Sequence, residues 1–332
     1  MYLYLNISVD NGSKTARESR ENVTCNLIET MNRVLISILL ILTISFGFSQ
    51  NGKILSKKSI DLKQEKFWNG ISENDTLTSK YQYLNYLNFY NIKYLSDSIV
   101  VDGYIIEPKN EGKYPVVIFN RGGNRDFASL TIGTLINYCS ELASNGYLII
   151  GSDYRKKDEF GGADINDVLC LTETIKEIEK ADSKSIGMFG WSRGGMMTYL
   201  ALQKSDKIKT AIVGNGPTDI FGIISDRPEM ETKVIAECVP NYWNNKEFEL
   251  KKRSVIYWVD ELDKNSSLLI LCGTNDKSVN PEQADKIAIK LKEIKYDFEL
   301  RKFETDHYFT EYVKELNEIL IKWFNIRLKN IR

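Results

Sequence analysis

The chain has 332 residues, 42% of them hydrophobic, and 44 Lys plus Arg against 45 Asp plus Glu give a formal net charge of −1. That apolar share over that length is enough to bury a large core. The basic residues are scattered, which argues against a phosphate-binding surface and hence against a nucleic-acid partner.

Residues 1–30 are polar and precede Met31, and they read as a misassigned upstream extension. Met31-Asn32-Arg33, the apolar run 34–46 and the small residues Gly47 and Ser49 form the three parts of a signal peptide over 31–49, with cleavage after Ser49. The run is too short and too poorly flanked for a comfortable membrane span. The expectation is an exported chain, periplasmic or secreted, with no stable membrane insertion after cleavage; anchoring by an uncleaved signal is the other reading.

Residues 50–84 read as a lead-in segment. An aromatic-rich stretch follows (Tyr81, Tyr83, Tyr86, Phe89, Tyr90, Tyr94), expected to pack in the core and along edges. Strands over 89–95 and 99–106 are joined through 96–98 as an antiparallel hairpin. Beyond them strands and helices alternate: strand 115–119, helix 128–143, strand 146–151, helix 163–180, strand 184–189, then a helix containing 196–202, and strand 208–213. After an irregular interval come strand 268–272, helix 281–294, strand 298–303 and a helix over 308–328. Short continuous apolar runs between amphipathic helices mean buried parallel strands covered on both faces. The interval 217–265 holds Phe221, Tyr242, Trp243, Tyr257 and Trp258 in no clear period and reads equally as a lid-like insertion or a helical crossover. Cys139, Cys170, Cys238 and Cys272 match no metal spacing and are expected as buried free thiols, although an exported chain could pair two of them.

The chemistry is carried by Gly190-Trp191-Ser192-Arg193-Gly194-Gly195, where strand 184–189 gives way to a helix. A serine with glycine at i−2 and i+2 suits a strand-to-helix turn too tight for side chains at those positions. A serine hydroxyl needs a base, and the chain contains one histidine, His307, in a loop beyond its last strand. Open α/β sheets place their sites at such strand ends. Asp276, in the loop after strand 268–272, is the expected acid that orients the imidazole; Asp306 is the rival, less suited because it adjoins His307. The order Ser192, Asp276, His307 is that of α/β-hydrolases. The oxyanion donors are expected to be the backbone N–H of Arg193 and that of Gly123 in the loop Asn120-Arg121-Gly122-Gly123-Asn124. One histidine and no clustered carboxylates disfavour a metal-dependent hydrolase.

Together these segments resemble the catalytic domain of the prolyl oligopeptidase family. The elbow, the 268–279 acid loop and Arg121-Gly122-Gly123 carry the likeness, and so does Asp153-Tyr154-Arg155 followed by Asp164 and Asp167-Val168. The resemblance covers residues 85–330. It implies an α/β-hydrolase fold with a mostly parallel, doubly wound sheet of about eight strands, and a Ser192/Asp276/His307 triad. It also implies hydrolysis of peptide or ester bonds without cofactor. Two departures stand out. Family peptidases commonly carry a large N-terminal β-propeller, whereas residues 50–84 alone lie between the expected cleavage site and the core. Arg121 stands where relatives often carry His or Tyr. A serine peptidase on small peptides and an esterase on small or carbohydrate-linked esters are therefore both open, with a non-catalytic binding protein on the same fold as the third reading.

Overall fold

The structure is a computed structural model that describes residues 31–37 and 51–329. Residues 31–37 are helical, and among the described residues no helix is long and apolar enough to cross a membrane. The expected upstream extension 1–30 and residues 38–49 of the expected signal peptide lie outside the described residues.

Nine strands form the main sheet: β1 (Ile54–Ser59), β2 (Leu87–Ser96), β3 (Ile99–Pro108), β4 (Tyr114–Asn120), β5 (Leu148–Ser152), β6 (Ala181–Trp191), β7 (Ile208–Gly214), β8 (Ser267–Gly273) and β9 (Phe298–Phe303). Their spatial order is β1-β2-β3-β5-β4-β6-β7-β8-β9. The three pairs from β1 to β5 are antiparallel and the five from β5 to β9 are parallel. The family resemblance implies about eight strands; β1 is the additional one. It is an edge strand, Ile-Leu-Ser-Lys-Lys-Ser, mostly exposed, so it lacks the apolar alternation that reveals a half-buried strand. The β2–β3 hairpin turns through Asp97 (φ +48°) and Ser98 (φ +65°), the two-residue geometry that follows the right-handed strand twist.

Alternate residues of the buried strands feed two cores. On β4, Val116 and Ile118 face one and Val117 and Phe119 the other; on β8, Leu268 and Ile270 oppose Leu269 and Leu271. Within residues 51–329 the α-helices of seven residues or more are α1 (Ile132–Ser144), α2 (Ile165–Thr174), α3 (Arg193–Lys204), α4 (Ile220–Asp226), α5 (Tyr242–Lys252), α6 (Glu282–Glu293) and α7 (Val313–Phe324). Helices α1 and α7 cover one face through Leu135, Leu142, Leu320 and Phe324. Helices α2, α3 and α6 cover the other through Val168, Leu171, Met197, Leu200, Ile287 and Leu291. Each such side chain contributes about 1.5–3 kcal/mol on burial, and both faces must be covered for the parallel strands to stay dry. Residues 217–265 fold as α4, α5 and short helical turns, with Ile220, Ile223 and Leu250 anchored in the second of these cores.

Three helix boundaries differ most from the sequence reading. Helix α1 starts at Ile132 rather than 128, because Ala128 (φ +56°) lies in a loop and the Thr131 side chain caps Thr134 N at 3.1 Å. Helix α2 ends at Thr174 instead of 180, passing through one 3₁₀ turn, Ile175–Glu177. Helix α7 starts at Val313 rather than 308, because Phe309 takes φ +55° and Asp306 accepts from Tyr308 N and Thr310 N. The lead-in segment packs in the same compact unit as the sheet, burying Leu62, Ile71, Leu77 and Leu84.

Candidate active site

The turn after β6 is dictated by sterics. Ser192 holds φ +55° and ψ −127°, a conformation costing a non-glycine residue about 1–3 kcal/mol that persists because its surroundings allow no other. A Cβ on Gly190 would stand 2.1 Å from Gly194 O, and one on Gly194 would stand 1.9 Å from Asn120 O. Ser192 N donates to Gly214 O at 2.9 Å and Gly195 N to Ser192 O at 2.8 Å, tying the turn to β7 and starting α3.

The loops that carry Asp276 and His307, the expected acid and base, follow β8 and β9. Asp276 Oδ1 accepts from Ser278 N (2.7 Å) and Val279 N (3.0 Å), which turns Oδ2 toward His307 Nδ1 at 2.7 Å. Both side chains are buried, at 1% and 9% exposure. With Asp276 ionised, the proton in this contact sits on Nδ1 and Nε2 carries the free lone pair. Asp306, the rival acid, is exposed and is committed to the turn: Thr310 N and Oγ1 and Tyr308 N donate to it, holding its carboxyl below the usual range. Ser192 and His307 line one cavity, although no hydrogen bond joins Ser192 Oγ to the imidazole; such contacts are often long in unliganded sites.

Asn215 joins the two loops, and the sequence reading missed it. Its Oδ1 accepts from Gly273 N at 2.8 Å, and its Nδ2 donates to His307 O at 2.9 Å. Trp191 Nε1 donates to the same carbonyl at 3.0 Å. Asn215 sits in the left-handed region (φ +45°), which asparagine tolerates well, and it precedes Gly216-Pro217. That turn signature was the available clue.

The residues of both expected oxyanion donors line the cavity with Ser192. Arg193 opens α3, and Gly123 (φ +70°) lines the cavity beside Ser192 and Arg193. A Cβ on Gly123 would fall 2.2 Å from Phe127 O, and one on Gly122 would come within 3.2 Å of Ser192 Cβ, so both glycines allow close approach. Arg121 shapes this loop from behind. Its buried guanidinium donates to the carbonyls of Asp153, Gly122, Arg125 and Ala128 and pairs with Asp153 at 2.9 Å. Tyr154 donates to Arg121 O at 3.1 Å, and its ring stacks with the guanidinium groups of Arg121 (4.8 Å) and Arg193 (5.2 Å).

The Arg193 side chain is buried and paired with Asp158, 2.6 Å from Nη1 and 2.7 Å from Nη2, and with Asp164. Burial opposes its charge, but Asp164 and Asp158 outweigh that and hold it more firmly protonated than a free arginine. Burial likewise works against ionised Asp158, but Arg193 and the amides of Arg125 and Phe160 overcome it and hold the carboxyl below its ordinary value. Asp167 instead forks Arg155, with contacts as short as 2.7 Å. The acidic residues of segment 153–167 thus brace the site from outside the cavity, whereas Phe160 of the same segment lines it.

The cavity holds about 240 Å³. Phe160, Ile220, Ile223, Met230 and Val279 make its wall apolar, Arg227 adds a guanidinium, and Phe127 and Tyr308 stand exposed beside it. Cys139, Cys170, Cys238 and Cys272 are all free and buried; burial pushes the Cys238 and Cys272 thiols up to about 11.

Comparison with known proteins adds to this geometry. The model of the prolyl oligopeptidase family matches residues 144–330. The uncharacterized peptidase YtmA of Bacillus subtilis (strain 168) is 23% identical over 232 residues, covering 68% of this chain and 88% of that protein. An acylaminoacyl peptidase of Pyrococcus horikoshii superimposes with TM-score 0.62 at 21% identity, over 74% of this chain and 42% of that one. A Pyrococcus furiosus esterase does so with TM-score 0.56 at 17% identity, over 72% and 91%. These likenesses establish the α/β-hydrolase fold; the chain spans most of YtmA but under half of the archaeal peptidase.

Proposed function

Because the chain belongs to the prolyl oligopeptidase family and is accordingly a serine hydrolase, we propose that it cleaves small peptide or ester substrates through Ser192, His307 and Asp276. The observation that carries the proposal is the 2.7 Å Asp276–His307 contact, made by the chain's one histidine and opening on the cavity that Ser192 lines. In this reading Ser192 Oγ attacks the acyl carbon while His307 Nε2 takes its proton. Asp276 stabilises the imidazolium, and the amides of Arg193 and Gly123 hold the oxyanion. Collapse expels the amine or alcohol, which receives the proton from His307. Water, deprotonated by the same nitrogen, then attacks the acyl-enzyme and releases Ser192.

The esterase reading draws support from the cavity. At about 240 Å³ it lies below the ~300–1,000 Å³ common for ligand pockets, which suits a short acyl group better than an extended peptide. Export through residues 31–49 belongs to the same proposal, and N-terminal sequencing of the exported protein is expected to begin at Gln50. A fluorophosphonate probe is expected to label wild type and spare Ser192→Ala, and Asp276→Asn is expected to lose about 10⁴-fold in kcat. Labelling that is absent, or unchanged in Ser192→Ala, rules the mechanism out. Rates on short p-nitrophenyl esters against matched peptide anilides separate esterase from peptidase.

A further inference from the structure

Arg227 is the exception among the arginines of this fold. Every other arginine between residues 51 and 329 has a carboxylate partner, from Arg121 with Asp153 to Arg327 with Asp297. Among the described residues Arg227 has none, and its Nε, like that of Arg193, is buried without a hydrogen-bond partner. Its position is fixed: it ends α4, its backbone N–H donates to Ile223 O at 2.9 Å, and Pro228 begins the next turn. It is half-buried and lines the same cavity as Ser192 and His307.

The charge balance of that cavity follows. Among the described residues no aspartate or glutamate lines it. Its other arginine, Arg193, is neutralised by Asp158 and Asp164. One cationic fork is therefore left uncompensated against an apolar wall, a costly arrangement until an anion meets it. A guanidinium recognises planar anions by paired hydrogen bonds, and a single positive charge matches a carboxylate; a phosphate dianion would carry excess charge into the apolar space.

Resting on the serine hydrolase reading, we propose that Arg227 is a specificity residue that binds a carboxylate of the substrate, a few bonds from the carbonyl presented to Ser192. The carboxylate belongs either to the acyl group, as in a dicarboxylic half-amide or half-ester, or to the leaving group, as in a C-terminal amino acid.

Binding to the Ser192→Ala protein tests this without turnover. Three ligands are compared by calorimetry: butyryl-p-nitroanilide (neutral), glutaryl-p-nitroanilide (acyl-side carboxylate) and N-butyryl-4-aminobenzoate (leaving-side carboxylate). One of the two acids is expected to bind about tenfold or more tightly than the neutral ligand, and which one it is identifies the source. Adding Arg227→Met is expected to bring that acid within about twofold of the neutral ligand, whose unchanged binding reports an intact site. Arg227→Lys is expected to retain part of the preference. Equal binding of all three ligands, or a preference that survives Arg227→Met, overturns the proposal. Fluorophosphonate labelling of the wild type is run alongside: labelling without a carboxylate preference removes the role of Arg227 alone. A preference without labelling upholds that role and removes the hydrolase mechanism.

Discussion

Replacing Asn215 with alanine tests whether one side chain holds the acid and base loops together. Asn215 is buried, and its loss strands Gly273 N–H, which costs about 1–3 kcal/mol for a buried unsatisfied donor. The His307 carbonyl keeps its bond from Trp191 and adds little. Alanine at φ +45° adds roughly 1 kcal/mol of backbone strain. The expected loss of stability is therefore about 2–4 kcal/mol, read as a shift of the urea midpoint. Asn215→Gly removes the strain and leaves the missing acceptor, so it should recover about 1 kcal/mol of the loss. Activity should fall further than stability alone explains, because misplacing a catalytic group by about 1 Å costs up to ~100-fold. The assay is kcat on a short p-nitrophenyl ester under conditions where the variant is fully folded. An Asn215→Ala protein within about 0.5 kcal/mol of wild type, with kcat unchanged, would refute the clamp.

Two further predictions concern the supports of the site. Asp158 has a depressed carboxyl pKa when folded, so its stabilising contribution is present above the unfolded value near 4 and is lost as pH falls through the lower folded value. Asp158→Asn should cost about 3–5 kcal/mol at neutral pH by leaving a buried charge short of a partner, and its deficit should shrink on acidification. Asp153 and Asp167, raised by burial, titrate with the opposite sign and do so in both proteins. Urea midpoints at pH values above and below about 4 measure the gap, and a gap independent of pH counts against the assignment. Arg121→Lys keeps the charge but cannot reproduce a fork that reaches four carbonyls. It should lower kcat about 10–100-fold with little change in KM, whereas equal kcat would separate Arg121 from the oxyanion loop.

The alternation of apolar runs and amphipathic helices made the parallel half of the sheet readable, because buried strands carry an uninterrupted signal. Ser192, Asp276 and His307 could be named as candidates from the sequence because each sits at a strand end and the histidine has no competitor. Strand β1 was not, because an exposed edge imposes no pattern on its side chains. The starts of α1 and α7 were misplaced for a different reason. Ala128 and Phe309 have ordinary helical preferences, and it is Arg121, bonding the Ala128 carbonyl, and the Asp306 turn that hold these segments out of the helix. Asn215 and Arg227 act through contacts made, or left unmade, across long sequence separations. Neither has a local signature beyond a turn asparagine and a single basic residue among hydrophobics.

The glycines around Ser192 have an evolutionary consequence. A Cβ at position 190 or 194 would sit inside the contact radius of backbone oxygens whether residue 192 bears a hydroxyl or a methyl group. Selection for a foldable chain therefore preserves those glycines even after selection for turnover lapses. In a lineage that lost activity, the serine would be free to drift while the glycines endured. Glycine spacing thus reports ancestry and shape, and only the retention of serine, aspartate and histidine together reports that the reaction is still under selection.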